Sequence, residues 1–78
     1  MKMNLNGYNA YTAVHNGGIY KATVRRTNNE YPFELRVSYV DCMGARHEEF
    51  CRDYKTASSA FAKLKRYFKN EEVAWYVD

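Results

Sequence analysis

The sequence predicts an α+β fold: a single small domain, residues 1–78, with an antiparallel sheet of about four strands, room for a fifth, and one α-helix packed across one face. Three observations carry this expectation. Phe33, Leu35, Val37 and Tyr39 alternate with Glu34, Arg36 and Ser38, the period of a half-buried strand. Asn16-Gly17-Gly18 separates two stretches of strand character with residues that accept positive φ, the strongest local hairpin signal in the chain. Beyond Thr56, Ala57, Ala60, Phe61, Leu64, Tyr67 and Phe68 recur at helical spacing.

Tyr8 to His15 has moderate strand character and leads into that turn. Ile19 to Thr27 follows as a strand, with Ile19, Lys21, Thr23 and Arg25 on one face and Tyr20, Ala22, Val24 and Arg26 on the other. The second set is more apolar and is expected to face the helix. Thr27 to Pro32 is a turn, since Pro32 lacks a ladder donor and can only open the next strand. Asp41-Cys42-Met43-Gly44 turns the chain into a segment from Arg46 to Tyr54. That segment alternates poorly, since Phe50 and Tyr54 share a face with Arg46, Glu48 and Arg52, and charges on both faces are the pattern of a sheet edge. Thr56 is a good N-cap, although Ser59 replaces the acidic partner of a capping box. The helical stripe leaves Ser59, Lys63, Arg66 and Asn70 outside, and Val73 to Val77 reads as a short closing strand. The expected core is Phe33, Leu35, Val37, Phe61, Leu64 and Phe68.

Seventy-eight residues lie near the lower limit for a chain that folds on its own core, which leaves few positions for an active site. Neither His15 nor His47 is marked by a nucleophile and acid at catalytic spacing, so no enzymatic activity is expected. Cys42, His47 and Cys51, with His15 as a fourth group, are the only metal candidates. Their Cys-x4-His-x3-Cys spacing departs from zinc sites, where paired ligands sit two to four residues apart, and no metal or cofactor is expected. Gly17-Gly18 lies in a hairpin and does not open a helix, so it is no phosphate loop. No apolar run approaches the roughly 20 residues that span a bilayer, and the first seven residues lack the apolar centre of a signal peptide. A cytoplasmic location with reduced thiols follows as the expectation, with no membrane and no small-molecule substrate as partner.

Charge and aromatic content point to binding. The net charge of +3 is unevenly spread: residues 1–29 carry +4, residues 30–54 carry −3, residues 55–70 carry +5 and residues 71–78 carry −3. Either the acidic strands and basic helix neutralise each other, or two basic segments converge into a patch for phosphate or an acidic protein. Eight tyrosines are more than one short helix can cover, and Tyr8, Tyr11, Tyr20, Tyr31 and Tyr76 are the surplus. Tyr and Arg often dominate binding energy at protein interfaces. Lys21, Thr23, Arg25 and Arg36, with Tyr20 and Tyr31 beside them, are therefore the candidate partner-binding residues. Lys63 and Arg66 form a secondary basic face.

The strand Phe33 to Tyr39, Asp41 and Gly44 of the turn, Arg46 just beyond it, Tyr54-Lys55-Thr56 before the helix and Ala60 inside it form a pattern. In these residues the stretch 33–69 resembles the sheet-and-helix DNA-binding domain of tyrosine integrases and that of plant ethylene-response transcription factors. The resemblance implies a sheet entering the major groove, with Lys21, Thr23, Arg25 and Arg36 presented to bases and phosphates. Glu34, Glu48, Glu49 and Asp53 depart from that pattern because each repels phosphate. The strands before residue 28 and after residue 71 depart from it too. The chain also resembles in kind the small phage inhibitors of bacterial defence, the anti-CRISPR proteins, which are single domains that block nucleoprotein machines by occupying a surface. The functional expectation is thus a non-enzymatic protein that docks on a protein or nucleoprotein surface, as a phage-type inhibitor does. The alternative is a sheet-type duplex DNA-binding module of a recombination or transcription regulator.

Overall fold

A computed structural model describes residues 7–69 and 73–78. Five strands and one helix follow in chain order: β1 (Tyr8–His15), β2 (Gly18–Arg26), β3 (Phe33–Val40), β4 (Arg46–Tyr54), α1 (Ala57–Lys65) and β5 (Tyr76–Val77). The strands form one antiparallel sheet in the order β4-β3-β2-β1-β5, with α1 packed on one face, an α+β domain. The expected edge position of Arg46–Tyr54 holds, and the boundaries of β1 to β4 agree with the expectation to within one residue, whereas the closing strand is shorter than the expected Val73–Val77.

The turns follow from their residues. His15 lies opposite Gly18, and the two residues between them, Asn16 and Gly17, have φ of 51° and 79°. Positive φ at both central positions is the type I′ turn, whose twist matches that of the flanking strands. At the β3–β4 turn Gly44 takes φ 84° and donates to the Asp41 carbonyl, while the Asp41 carboxylate accepts from the amides of Met43 and Ala45. Asp41 thus does with its side chain what a longer turn would do with backbone.

The poor alternation of β4 has a cause in its register. Val37 pairs with Phe50 but Ser38 pairs with Glu48, so Glu49 is an inserted residue, a β-bulge. Before the bulge Arg46 and Glu48 share the open face with Val40 and Ser38. After it Phe50, Arg52 and Tyr54 share the helix face with Val37, Leu35 and Phe33. Reading Phe50 and Tyr54 on one face with Arg46 and Glu48 is therefore corrected by the extra residue.

The helix begins as expected, with the Thr56 hydroxyl accepting from the Ser59 amide. It ends at Lys65, earlier than the stripe to Phe68 suggested. The chain segment after it explains why. The Trp75 indole donates to the Leu64 carbonyl at 2.9 Å, and the Val73 amide donates to that of Lys65. These bonds satisfy carbonyls that a further helical turn would have used. They also explain why β5 has two residues and does not start at Val73. Phe68 still reaches the core, from a turn.

Buried together are Tyr11, Ala13, Ala22, Val24, Leu35 and Val37 of the sheet, Ala57, Ala60, Phe61 and Leu64 of α1, and Phe68 and Trp75 beyond it. Three corrections to the expected core follow. Phe33 is only half-buried, at the sheet end, with the Arg26 guanidinium 5.5 Å over its ring. Tyr11 is not a surplus ring: it is 1% exposed, edge-on to Phe61. Trp75 joins the core, with its indole on the Leu64 carbonyl and the strand after it paired along β1. Of the outward helix positions, Ser59, Lys63 and Arg66 are exposed, and Asn70 lies outside the described residues, as does the amino-terminal stretch before Gly7.

Candidate functional site

The helix covers one side of the sheet, and the other side carries an ordered array. Cross-strand register sets it in rungs. Tyr8, Arg25, Glu34 and Asp53 form one, and Ala10, Thr23, Arg36 and Cys51 the next. Thr12, Lys21, Ser38 and Glu48 form a third, and Val14, Ile19, Val40 and Arg46 the last. Four of the sequence-predicted residues, Lys21, Thr23, Arg25 and Arg36, come together here. They line a shallow depression of about 320 Å³ with Tyr8, Glu34, Ser38 and Arg46.

The charges of this face interlock. Arg25 Nε donates to Glu34 Oε1 at 2.8 Å, and Arg36 approaches the same oxygen at 3.6 Å while its Nε meets Glu48 Oε1 at 3.2 Å. Lys21 Nζ donates to the Thr12 hydroxyl at 2.6 Å and lies 3.5 Å from Asp78, whose carboxylate also accepts from Thr12. The Arg25 hydrogen bond holds the Glu34 carboxyl below the usual carboxylate range despite its partial desolvation. Arg36 is held above its ordinary value by Cys51 beside it, then by Glu34 and Glu48. Lys21, Arg25, Arg36 and Arg46 are thus interleaved with Glu34, Glu48, Asp53 and Asp78, a face of alternating sign.

The other predicted residues lie elsewhere. Tyr20 is on the helix face, half-buried against Phe68 and Tyr39. Alternation had already put it opposite Lys21, so it cannot share the face of Lys21 and Arg25. Tyr31 is exposed in the β2–β3 turn. Lys63 sits on the helix flank, 5.3 Å over the Phe50 ring and 5.9 Å over Tyr67, and Arg66 is the C-cap of α1.

The metal candidates do not converge. Cys42 is in the β3–β4 turn, Cys51 is on the open face, and His15 stacks on Phe68 on the helix side. His47 Nε2 bonds Asp41 at 2.6 Å. Among the described residues no group of three His, Cys, Asp or Glu side chains is placed to hold a metal ion.

Sequence reasoning missed the apolar rung. Val14 and Ile19 are 65% and 45% exposed, side by side at the turn end of the open face, with Tyr76 70% exposed on neighbouring β5. The signal was available: residues flanking an Asn-Gly hairpin pair across it, so Val14 and Ile19 must share a face. Among the described residues no helix is long and apolar enough to cross a membrane. Compared with protein-family models, curated proteins and solved structures, the chain matches none.

Proposed function

We propose that this protein is a non-enzymatic docking module that sets the open face of its sheet against a protein or nucleoprotein surface, in the manner of a phage-encoded inhibitor of a host defence complex. The observation that carries the reading is the interleaved Arg25–Glu34–Arg36–Glu48 ladder. Binding to nucleic acid gains most of its free energy when unopposed Lys and Arg displace counterions from phosphates. A face of alternating sign gains little of that. Against a protein surface of complementary alternating charge it suppresses wrong partners and fixes register. Val14 and Ile19 at its turn end, with Tyr76 beside Thr12, supply exposed apolar area that a partner can bury.

The test uses two charge variants and duplex DNA. Arg25→Glu/Arg36→Glu breaks the alternation, and Arg25→Glu/Glu34→Arg reverses one pair at constant net charge. With a partner recovered by co-purification from a bacterial host and then bound in purified form, both variants are expected to lose at least tenfold in affinity while remaining folded. Unchanged affinity in both would remove the open face from the interface.

The DNA-binding reading keeps one supporting observation: Lys55, Lys63, Lys65, Arg66 and Lys69 are all exposed, and the segment 55–69 holds no acid. Duplex binding that falls steeply between about 50 and 200 mM salt and is lost on Lys63→Ala/Arg66→Ala would decide for it.

A further inference from the structure

On the helix side of the sheet a cleft of about 700 Å³ opens between the β1–β2 turn and the segment after α1. Pockets that hold ligands span roughly 300–1,000 Å³, so it has room for a side chain and the backbone around it. Its lining combines four rings, Tyr20, Tyr39, Phe68 and the His15 imidazole stacked on Phe68, with the Glu49 carboxylate, and Lys69 also borders it.

Each part is fixed by a feature of the fold. Glu49 is the extra residue of the β4 bulge, out of step with the alternation of its strand. Bulges commonly re-aim one side chain in this way. One oxygen of Glu49 accepts from the Tyr67 hydroxyl at 2.9 Å, which leaves acceptor capacity, since a carboxylate takes about four hydrogen bonds. The rings brace one another: Tyr20 and Tyr39 lie 5.4 Å apart, and Tyr20 meets Phe68 edge-on at 4.7 Å. They also press on the hairpin, because a Cβ on Gly18 would stand 3.1 Å from Tyr39 Cε1 and 3.3 Å from Tyr20 Cε1. Burial, and then the field of Glu49, raises the Tyr20 phenol above its ordinary value, so the ring stays neutral beside the carboxylate.

A carboxylate beside the Tyr20, Tyr39 and Phe68 rings attracts a cation twice, through its charge and through the ring quadrupoles. A planar guanidinium suits it best, because it stacks on rings and carries several N–H donors in a fixed fork. We propose that this cleft receives the guanidinium group of an arginine presented by a protein partner. The site is separate from the open face and does not depend on that face being an interface. Lys69 works against it by like-charge repulsion, which gives the proposal a variant of opposite sign.

The experiment is an amide-resolved NMR titration of the whole chain. The probes are Nα-acetyl-arginine-N-methylamide and its neutral isostere Nα-acetyl-citrulline-N-methylamide. The arginine probe is expected to shift the amides of Gly18, Tyr20, Tyr39 and Glu49 in a saturable way, and the citrulline probe to leave them in place. Glu49→Gln is expected to weaken binding about fivefold, the worth of a partly exposed ion pair. Lys69→Gln, which leaves the Tyr67 bond intact, is expected to tighten it. Equal response to both probes, no response to either, an unchanged affinity in both variants, or tighter binding of adenosine monophosphate than of the arginine probe would each overturn the proposal.

Discussion

Leu64 joins the two layers twice. Its side chain is fully buried among sheet and helix residues, and its carbonyl accepts the Trp75 indole. Leu64→Ala removes the side chain and leaves a cavity between sheet and helix. Denaturant melts are expected to show a loss of about 2–5 kcal/mol. A smaller loss would mean that the layers close over the gap. At this scale the sequence was informative where periodicity alone decides burial. Leu35, Val37, Phe61 and Leu64 were legible because each sits on the apolar face of a regular element. Tyr11 and Trp75 were not. Tyr11 packs edge-on against Phe61 across the two layers, and Trp75 is carried in by the chain that pairs along β1; no local pattern encodes either contact. Among site residues the same split holds: Lys21, Thr23, Arg25 and Arg36 follow from period two, whereas Glu49 enters the cleft only through a bulge.

The elements owe their positions to their ends. The β1–β2 turn sets the register of the whole sheet edge, because a one-residue slip would turn Tyr11 and Ala13 outward and Val14 inward. Gly17 holds φ 79° there with nothing within 4 Å of where a Cβ would lie. Gly17→Ala therefore meets no clash, and its cost is that of a left-handed backbone alone, about 1–2 kcal/mol. A thermal or urea melt checks this. A loss well above that range would show that the turn residue also acts through contacts, and no loss would show that the turn relaxes to another type. The hairpin was legible in the sequence because Asn-Gly has few alternatives. The bulge was not, since an inserted residue looks the same as a strand with charges on both faces. The helix end was not, because the Trp75 indole and Val73 amide that terminate it come from beyond the helix.

Over the whole molecule, opposite charges among the described residues pair across the sheet and its turns. Lys21–Asp78, Arg25–Glu34, Arg36–Glu48 and His47–Asp41 all join residues of the sheet and its turns, while Lys55, Lys63 and Lys65 stay exposed about the helix. Of the two alternatives the charge distribution left open, neutralisation of acidic strands by the basic helix is not what these pairs show: they neutralise within the sheet. This has a consequence for acid stability. The Arg25 hydrogen bond holds Glu34 below its ordinary value, and His47, followed by the Ala45 and Met43 amides, does the same for Asp41. A carboxyl whose pKa is lower folded than unfolded binds fewer protons in the folded state, so acid favours unfolding. The stabilisation is complete above the unfolded values, about 4.3 for Glu and 3.9 for Asp. It is lost as pH falls below about 4 and through the folded values, and it levels off once both groups are protonated. Urea midpoints measured from pH 7 to pH 2 are expected to hold steady to about pH 5 and then to fall. Glu34→Gln/Asp41→Asn should start lower at pH 7 and fall less below pH 4, because the two groups that release protons on folding are gone. An equally steep fall in the double variant would place the acid sensitivity of the fold in other carboxylates, with Glu48 and Asp53 of the same face the next to replace.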